Sequence, residues 1–408
     1  MVAYAWRHVP WYREAMDKLS LTPGDFHDAD DLAKLPLIER DDLQRTPEKF
    51  LSTDPALVRG LTLHSGGSTG MPVAIPCDAL SLFHSAVQSQ RERDVIAPLV
   101  GGTRGYREAL IADDICSTIH VRQFCYANAW FPRRVPIERI CLSLFAPPGE
   151  VLEAINHFQP DIIHSYGSYL GILFRHLQRT GAAFHRPKAI LYGADGLAEP
   201  VRRAITDDFG IPVFSVYGTI EAFRIAVECE QHAGQHVNED WYPVRIVDAS
   251  GQPVPEGEAG EVVVSNLVNR ATVLLNYRLG DLASLLPQPC PCGRSLPLLS
   301  FVNGRKDDLI RLPNGRLLHP AAVRIIMLKC PPVWEYQVVQ ETPTRFRLDV
   351  VPATGTDHAA LRADVHRAFS DMAGQDVDTE IAIVDSLERT RSGKHRPVIS
   401  KACDEEDG

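Results

Sequence analysis

Ser65-Gly-Gly-Ser-Thr-Gly-Met-Pro72 sets three glycines and three hydroxyls into six positions, directly after the alternating Leu61-Thr-Leu-His64. Backbone N–H groups in such a loop, from Gly66, Gly67, Ser68, Thr69 and Gly70, can form an anion nest around phosphate oxygens, with Ser65 and its fellow hydroxyls as further donors. A surface turn is the other reading, because no Gly-Lys-Ser/Thr of the Walker type follows. A second group of reactive types is Cys290-Pro-Cys292, a thiol pair on a tight turn, with Cys229 and His236 about sixty residues earlier. Four such ligands from two loops suit tetrahedral Zn²⁺, and a closed set without an open position points to a structural ion. Unligated reduced thiols are the alternative, and His232 is a substitute ligand. Lys394, in a Ser-Gly-Lys loop, reads by itself as a solvated charge.

The elements that must position these residues come in three styles. From Gln159 to Tyr217 short apolar runs alternate with amphipathic stretches. Strands are expected at Asp161–Ser165, Lys188–Tyr192 and Pro212–Val216, and helices at Ser168–Thr180, closed by Gly181, and Glu199–Phe209, stopped by Gly210. Such a unit implies a parallel sheet, whose ligands gather at the carboxyl ends of the strands. Gly193-Ala-Asp195 and Tyr217-Gly218 fall at those ends. Between Trp241 and Leu286 strands follow one another without helices: Tyr242–Asp248, Glu261–Ser265, Val273–Tyr277 and Leu282–Leu286, an antiparallel appendage to the sheet. After Gly304 helices are expected at Pro320–Lys329 and Asp357–Ser370, with strands at Val333–Gln340, Arg345–Val351 and Thr379–Val384. The expected fold is α/β, with a large N-terminal domain (residues 1–303) of parallel and mixed sheets flanked by helices and a small α+β domain (residues 304–408).

The chain has 408 residues and a formal charge of −10, so a net acidic surface disfavours nucleic acid and anionic lipid. Its start lacks the order of a signal peptide, and no run of about 18 apolar residues occurs. Nine cysteines without a secretory signal favour reduced thiols or metal ligands over a disulfide framework. A cytoplasmic location is the expectation.

Six ordered motifs carry a family resemblance: Ser65 to Pro72, Gly193-Ala-Asp195, Tyr217-Gly-Thr-Ile-Glu221, Tyr277-Arg-Leu-Gly-Asp281, Gly304-Arg-Lys-Asp-Asp308 and Thr390-Arg-Ser-Gly-Lys394. Nearly the whole chain resembles the adenylate-forming superfamily of acyl- and aryl-CoA synthetases, luciferase and adenylation domains. Arg7-His-Val-Pro-Trp-Tyr12, Glu228-Cys229 and the stretch from His236 to Asp240 look like its phenylacetate-CoA ligase branch. The resemblance implies that a carboxylate attacks the α-phosphorus of ATP while pyrophosphate leaves. It implies that Ser65–Gly70 holds the β- and γ-phosphates and that Glu221 ligates Mg²⁺. Gly193, Ala194, Asp195, Tyr217, Gly218 and Thr219 would line the nucleotide, with Tyr217 stacked on adenine and Asp281 accepting from the ribose hydroxyls. Lys394 would bridge carboxylate and α-phosphate, Arg305 would share the catalytic work, and Asp307 would be the hinge about which the small domain swings.

The sequence also departs from the family. Met71 stands where a Lys is usual, Ile220 replaces the Ser or Thr before the Mg²⁺ glutamate, and Glu388 and Arg391-Ser392 alter the closing loop. The Gly-rich stretch after the hinge is Arg311-Leu-Pro-Asn-Gly-Arg-Leu-Leu-His-Pro320, where Asn314-Gly315 reads as a turn between two short strands. Bulky Leu312, Pro313 and Leu317 would obstruct pantetheine, whereas Arg311 and Arg316 would attract the phosphates of CoA. The implied activity is ATP- and Mg²⁺-dependent adenylation of a small, aromatic carboxylic acid followed by transfer to CoA. Other acceptors stay open: an amine, a carrier protein, or AMP transfer as the end point. So does a non-catalytic nucleotide-binding protein. Phe145, Tyr166 and Tyr169 are pocket walls or core residues. Expected partners are the acid, ATP and CoA, with a homodimer left open.

Overall fold

Helix Gly167–Thr180 illustrates how local sequence sets the architecture: it begins directly after the strand Ile162–Tyr166 and ends where Gly181 takes a left-handed conformation. Its apolar side, Leu170, Leu173, Phe174 and Leu177, packs onto the sheet with Ile155, Ile190 and Ile205. The computed structural model describes residues 1–65, 73–102, 105–112, 116–128, 137–302, 304–318, 320–330, 332–374, 376–390 and 393–402, without the side chains of Asp307 and Ala321.

The central sheet has nine strands. Five run parallel, in the order Val213–Thr219, Ala189–Gly193, Ile162–Tyr166, Arg107–Ala112 and Glu138–Ser143. On the other side of Val213–Thr219 the sheet continues antiparallel through Phe223–Glu228, Gln235–Val237, Leu298–Leu299 and Leu285–Leu286. The expected α/β fold is therefore present, and the strand–helix alternation from Gln159 onward is parallel as expected.

The second style differs from its expectation. Val244–Val247, Gly260–Val264 and Tyr277–Ala283 make a separate three-stranded antiparallel sheet. The antiparallel extension of the large sheet comes instead from Phe223–Glu228 and its neighbours. Val273 to Asn276 is not a strand: Val273, Leu274 and Leu275 are buried in the N-terminal core, and Asn276 breaks the run with φ +64°. Asn276 is held by its side-chain amide on the Leu35 carbonyl, 2.6 Å, so the strand starts one residue later and carries Asp281 inside it. The expected helix at Glu199–Phe209 is an α-turn over Glu199–Arg203 followed by a π-helical turn over Ala204–Asp208.

The C-terminal part has its own core around Val338, Phe346, Leu348, Val365 and Phe369. Its four-stranded sheet runs Asp378–Ile383, Arg345–Pro352, Val333–Thr342, Val398–Ser400. Helix His358–Ala373 is capped by Asp357, which accepts from the Ala359 and Ala360 amides. As the Asn314-Gly315 dipeptide suggested, Ile310–Arg311 and Leu317–Leu318 pair antiparallel, with Gly315 at φ +80°. Trp334, Val351 and Leu387 leave this core and join the apolar cluster of the large sheet, so the two parts are packed together. No helix among the described residues is long and apolar enough to cross a membrane.

Candidate active site

Antiparallel pairing of Val213–Thr219 with Phe223–Glu228 forces a tight reversal over Ile220-Glu221. Gly218 is required there, because a Cβ would overlap the Phe223 carbonyl oxygen. Just before the reversal, the Tyr217 hydroxyl donates to Asp281 Oδ2 at 2.8 Å. Arg305 Nε lies 3.4 Å from the other oxygen, Oδ1, and backbone pairing links Asp281 with Arg305. Three motifs far apart in sequence thus meet at one carboxylate. Burial, then the Asp281 charge, holds the Tyr217 phenol well above its ordinary range, so it remains a donor.

Glu221 is buried, and burial raises its carboxyl above the ordinary range. Its own backbone N–H, the Thr219 hydroxyl and Arg40 act against that rise, and Asp281 adds to it. A buried carboxylate near a second carboxylate is a setting that a divalent cation would stabilise. The Thr219 hydroxyl also accepts from the Ala222 amide at 3.2 Å, which orders the turn despite Ile220.

The loop expected to hold phosphate lies outside the described residues at Gly66, Gly67, Ser68, Thr69 and Gly70. Its base is visible. Ser65 N–H donates to the Val73 carbonyl at 2.9 Å, and the Val73 amide donates to Ser65 Oγ at 2.8 Å. Arg40 Nη2 donates to the same Ser65 oxygen at 3.1 Å, which places a guanidinium between the loop base and Glu221. Sequence reasoning missed Arg40: it sits in the charged run Glu39-Arg-Asp-Asp42, which reads as an ordinary solvated helix start.

At the end of strand Ala189–Gly193 the chain turns sharply. Gly193 approaches the Val216 carbonyl so closely that a Cβ would lie 2.8 Å from it, and Ala194 takes φ +68°, a strained position for a residue with a side chain. Asp195 follows, and the Lys394 loop comes to it from the other part of the chain. The His395 amide donates to Asp195 Oδ2 at 3.1 Å and the Ser168 amide to Oδ1 at 3.1 Å. Gly393, φ +75°, sits against Leu144, and the Lys394 amide donates to Thr390 Oγ1 at 3.1 Å. The half-buried Lys394 side chain has no ion pair among the described residues. Arg391 and Ser392 are outside the described residues, as is the side chain of Asp307. The neighbouring Asp308 is buried and paired with Arg396.

The expected pocket residues have different settings. Tyr166 ends a parallel strand and is buried in the apolar cluster of the large sheet. Tyr169 is buried in the large core with its hydroxyl 3.4 Å from the Ala146 carbonyl, and Phe145 is 62% exposed.

The four expected metal ligands come together. Cys229 Sγ, His236, Cys290 Sγ and Cys292 Sγ place their ligand atoms within 4.8 Å of one another. Cys229 and Cys290 are 3.5 Å apart, and Cys292 lies 3.3 Å from His236 Nε2. A tetrahedral ion with Zn–S bonds of about 2.3 Å spaces its sulfurs roughly 3.8 Å apart, so the donor set fits. The other imidazole nitrogen, Nδ1, is 3.3 Å from the Leu296 carbonyl, a partner that would fix the tautomer and leave Nε2 for metal. His232, the substitute ligand, is engaged elsewhere: its Nδ1 is 2.7 Å from Glu228 and its ring stacks on Phe214.

A family model described as AMP-binding enzyme matches residues 17–269. The chain belongs to the AMP-binding enzyme family. In this AMP-binding enzyme the matched stretch holds the Ser65 loop, Gly193 to Asp195 and Tyr217 to Glu221, and a second model, CapK C-terminal domain, matches residues 312–401 with Lys394. Phenylacetate-coenzyme A ligase of Thermus thermophilus is 26% identical over 397 residues, 92% of this chain and 82% of that protein. A crystal structure of a 2-hydroxyisobutyryl-CoA ligase in the postadenylation state with 2-HIB-AMP superposes with a TM-score of 0.78 at 18% identity, covering 98% of this chain and 86% of that one. The same ligase with 2-HIB-AMP and CoA in the thioesterification state gives 0.63 at 19% identity, covering 98% and 87%. The AMP-binding enzyme described here thus shares the fold.

Proposed function

We propose that this AMP-binding enzyme is an ATP-dependent acid ligase that adenylates a small, aromatic carboxylic acid and passes the acyl group to CoA. The observation that carries the reading is the seating of the Lys394 loop: Gly393 lies against Leu144 and the Ser168 hydroxyl, and the His395 amide donates to Asp195, at the carboxyl ends of the parallel strands. A carboxylate oxygen attacks the α-phosphorus, the bond to the β-phosphate oxygen breaks, and pyrophosphate leaves. Lys394 brings a positive charge to the oxygens on which negative charge grows. The CoA thiol then attacks the acyl carbon, AMP departs and the thiol proton is released.

In this reading Asp281 accepts from the ribose hydroxyls, and Tyr217 and Arg305 hold its carboxylate in place before ATP arrives. Tyr217, Gly193, Ala194, Gly218 and Thr219 line the nucleotide. Glu221, buried near the Asp281 carboxylate, is the residue that would hold Mg²⁺, whose chemistry there is to neutralise the phosphates. Arg40 joins the phosphate end beside Ser65. Cys229, His236, Cys290 and Cys292 would hold a structural Zn²⁺ that ties the antiparallel edge strands together. The separate core around Phe346 supports a boundary at residues 303 and 304 with Asp307 at the hinge, and the relatives' names support CoA as acceptor.

ATP–pyrophosphate exchange over a panel of carboxylic acids, phenylacetate included, followed by mass spectrometry with and without CoA, tests the proposal. Exchange with one class of acid and a thioester formed with stoichiometric AMP are expected. No exchange with any acid would overturn adenylation. An amide or free adenylate, indifferent to CoA, would remove CoA alone.

A further inference from the structure

Both oxygens of Asp195 are in use. Oδ1 accepts the Ser168 amide, in the first turn of helix Gly167–Thr180, and Oδ2 accepts the His395 amide, 200 residues away in the sequence. The surfaces that meet here are cut to fit. A Cβ on Gly167 would lie 2.6 Å from the Gly196 carbonyl, so the helix start can approach the loop that carries Asp195 only as glycine. One turn on, a Cβ on Gly171 would lie 2.5 Å from Glu335 Oε1, and the Gly171 carbonyl accepts from Trp334 Nε1 at 3.2 Å. The Ser168 hydroxyl is 3.5 Å from the Gly393 carbonyl, so the residues on both sides of Lys394 are tied to this one corner.

We infer that Asp195 is a positioning residue: its carboxylate joins the Ser168 and His395 amides and thereby holds the Lys394 loop in the arrangement that forms the adenylate. This rests on the reading of Lys394 given above. A carboxylate suits the task because each oxygen can accept independently, and a charged acceptor makes a stronger bond to a backbone N–H than a neutral one. Burial raises the Asp195 carboxyl, while the two amides, the Ser168 hydroxyl and the Arg389 charge oppose the rise, so the acid depends on these partners to remain an acceptor. An amide at this position would turn its NH₂ toward one of the two N–H groups and lose that bond.

The test uses the full chain with Asp195→Asn and Asp195→Glu. Hydrogen–deuterium exchange of the segment 388–398 reads the loop directly and requires no knowledge of the natural acid. In Asp195→Asn it is expected to accelerate about tenfold or more, while Val333–Thr342 keeps wild-type protection. With phenylacetate as the acid, ATP–pyrophosphate exchange should slow by a similar factor at unchanged KM for ATP. Thioester formation from synthetic phenylacetyl-adenylate and CoA should stay at the wild-type rate, and Asp195→Glu should restore part of the loss. Unchanged protection of 388–398, or a raised KM for ATP with unchanged maximal exchange, would overturn the assignment; the latter is the behaviour of a nucleotide ligand. If Asp195→Asn fails to fold, Asp195→Glu is read by the same exchange measurement. Lys394→Ala separates the two readings: undiminished pyrophosphate exchange in that variant refutes the role of Lys394, whereas the exchange of 388–398 still decides whether Asp195 holds the loop.

Discussion

Gly393→Ala perturbs the loop without touching any charged group. Gly393 has φ +75°, where a side chain costs about 1–2 kcal/mol. Its new methyl would overlap Leu144 Cδ1 and lie 3.3 Å from Leu144 Cγ and Cδ2, a local overpacking that typically costs about 1–3 kcal/mol. Together these oppose docking by about 2–5 kcal/mol, a reduction of the docking equilibrium constant by about 30-fold to several thousandfold. The strain is relieved when the loop leaves the surface, so the penalty falls on docking and not on global stability. Pyrophosphate exchange should fall by up to that factor, while the melting temperature moves by no more than about 2 °C. Stopped exchange assays at saturating ATP, run beside a thermal melt, measure both quantities. Wild-type exchange in Gly393→Ala would refute the link between docking and adenylation, and a large loss of melting temperature would show that the strain is carried by the whole fold.

Burial pushes the Glu335 carboxyl up to about 7, against the lowering influence of Arg389 and Arg175 and with a further rise from Asp195. A raised acid binds its proton more tightly when folded, so its contribution is full below its unfolded range and declines as pH rises to about 7. Urea midpoints should therefore fall across that window, and Glu335→Gln should flatten the slope; an equal slope in both proteins contradicts it. Asp281→Ala should raise KM for ATP about tenfold or more with a smaller change in kcat, as expected for a contact made in the ground state, and calorimetry of ATP binding checks it. Elemental analysis should find about one Zn per chain, and Cys290→Ser should lower the melting temperature before it alters any catalytic constant. Metal-free protein with a wild-type melt would return the cluster to unligated thiols.

How much was legible beforehand follows from the range of the interactions involved. The parallel unit was readable because each strand and helix carries its own period, and Gly181 and Gly210 mark stops locally. The Cys/His set was readable because its ligand types are distinctive even when sixty residues separate them. Strand Tyr277–Ala283 was misplaced by several residues because Val273-Leu-Leu275 has a strand's composition but is buried by N-terminal segments, among them Tyr12, whose hydroxyl accepts from the Leu275 amide at 2.6 Å. Strand Phe223–Glu228 was missed because the reversal before it relies on Phe223 at φ +38°, which no turn residue announces. Asp195 stood in a recognisable motif, yet its partner lies 200 residues away, and only the folded chain shows that its carboxylate accepts the His395 amide. Arg40 carries no sequence signal beyond its charge.

The most direct test is ATP–pyrophosphate exchange by the wild-type chain and Lys394→Ala, each with the acid that supports the fastest wild-type rate and with ATP binding measured in parallel. Loss of one positive group that acts at the transition state is expected to slow exchange by about 10²–10³ while ATP affinity stays near wild type. Exchange at the wild-type rate in Lys394→Ala would contradict adenylation through the docked loop.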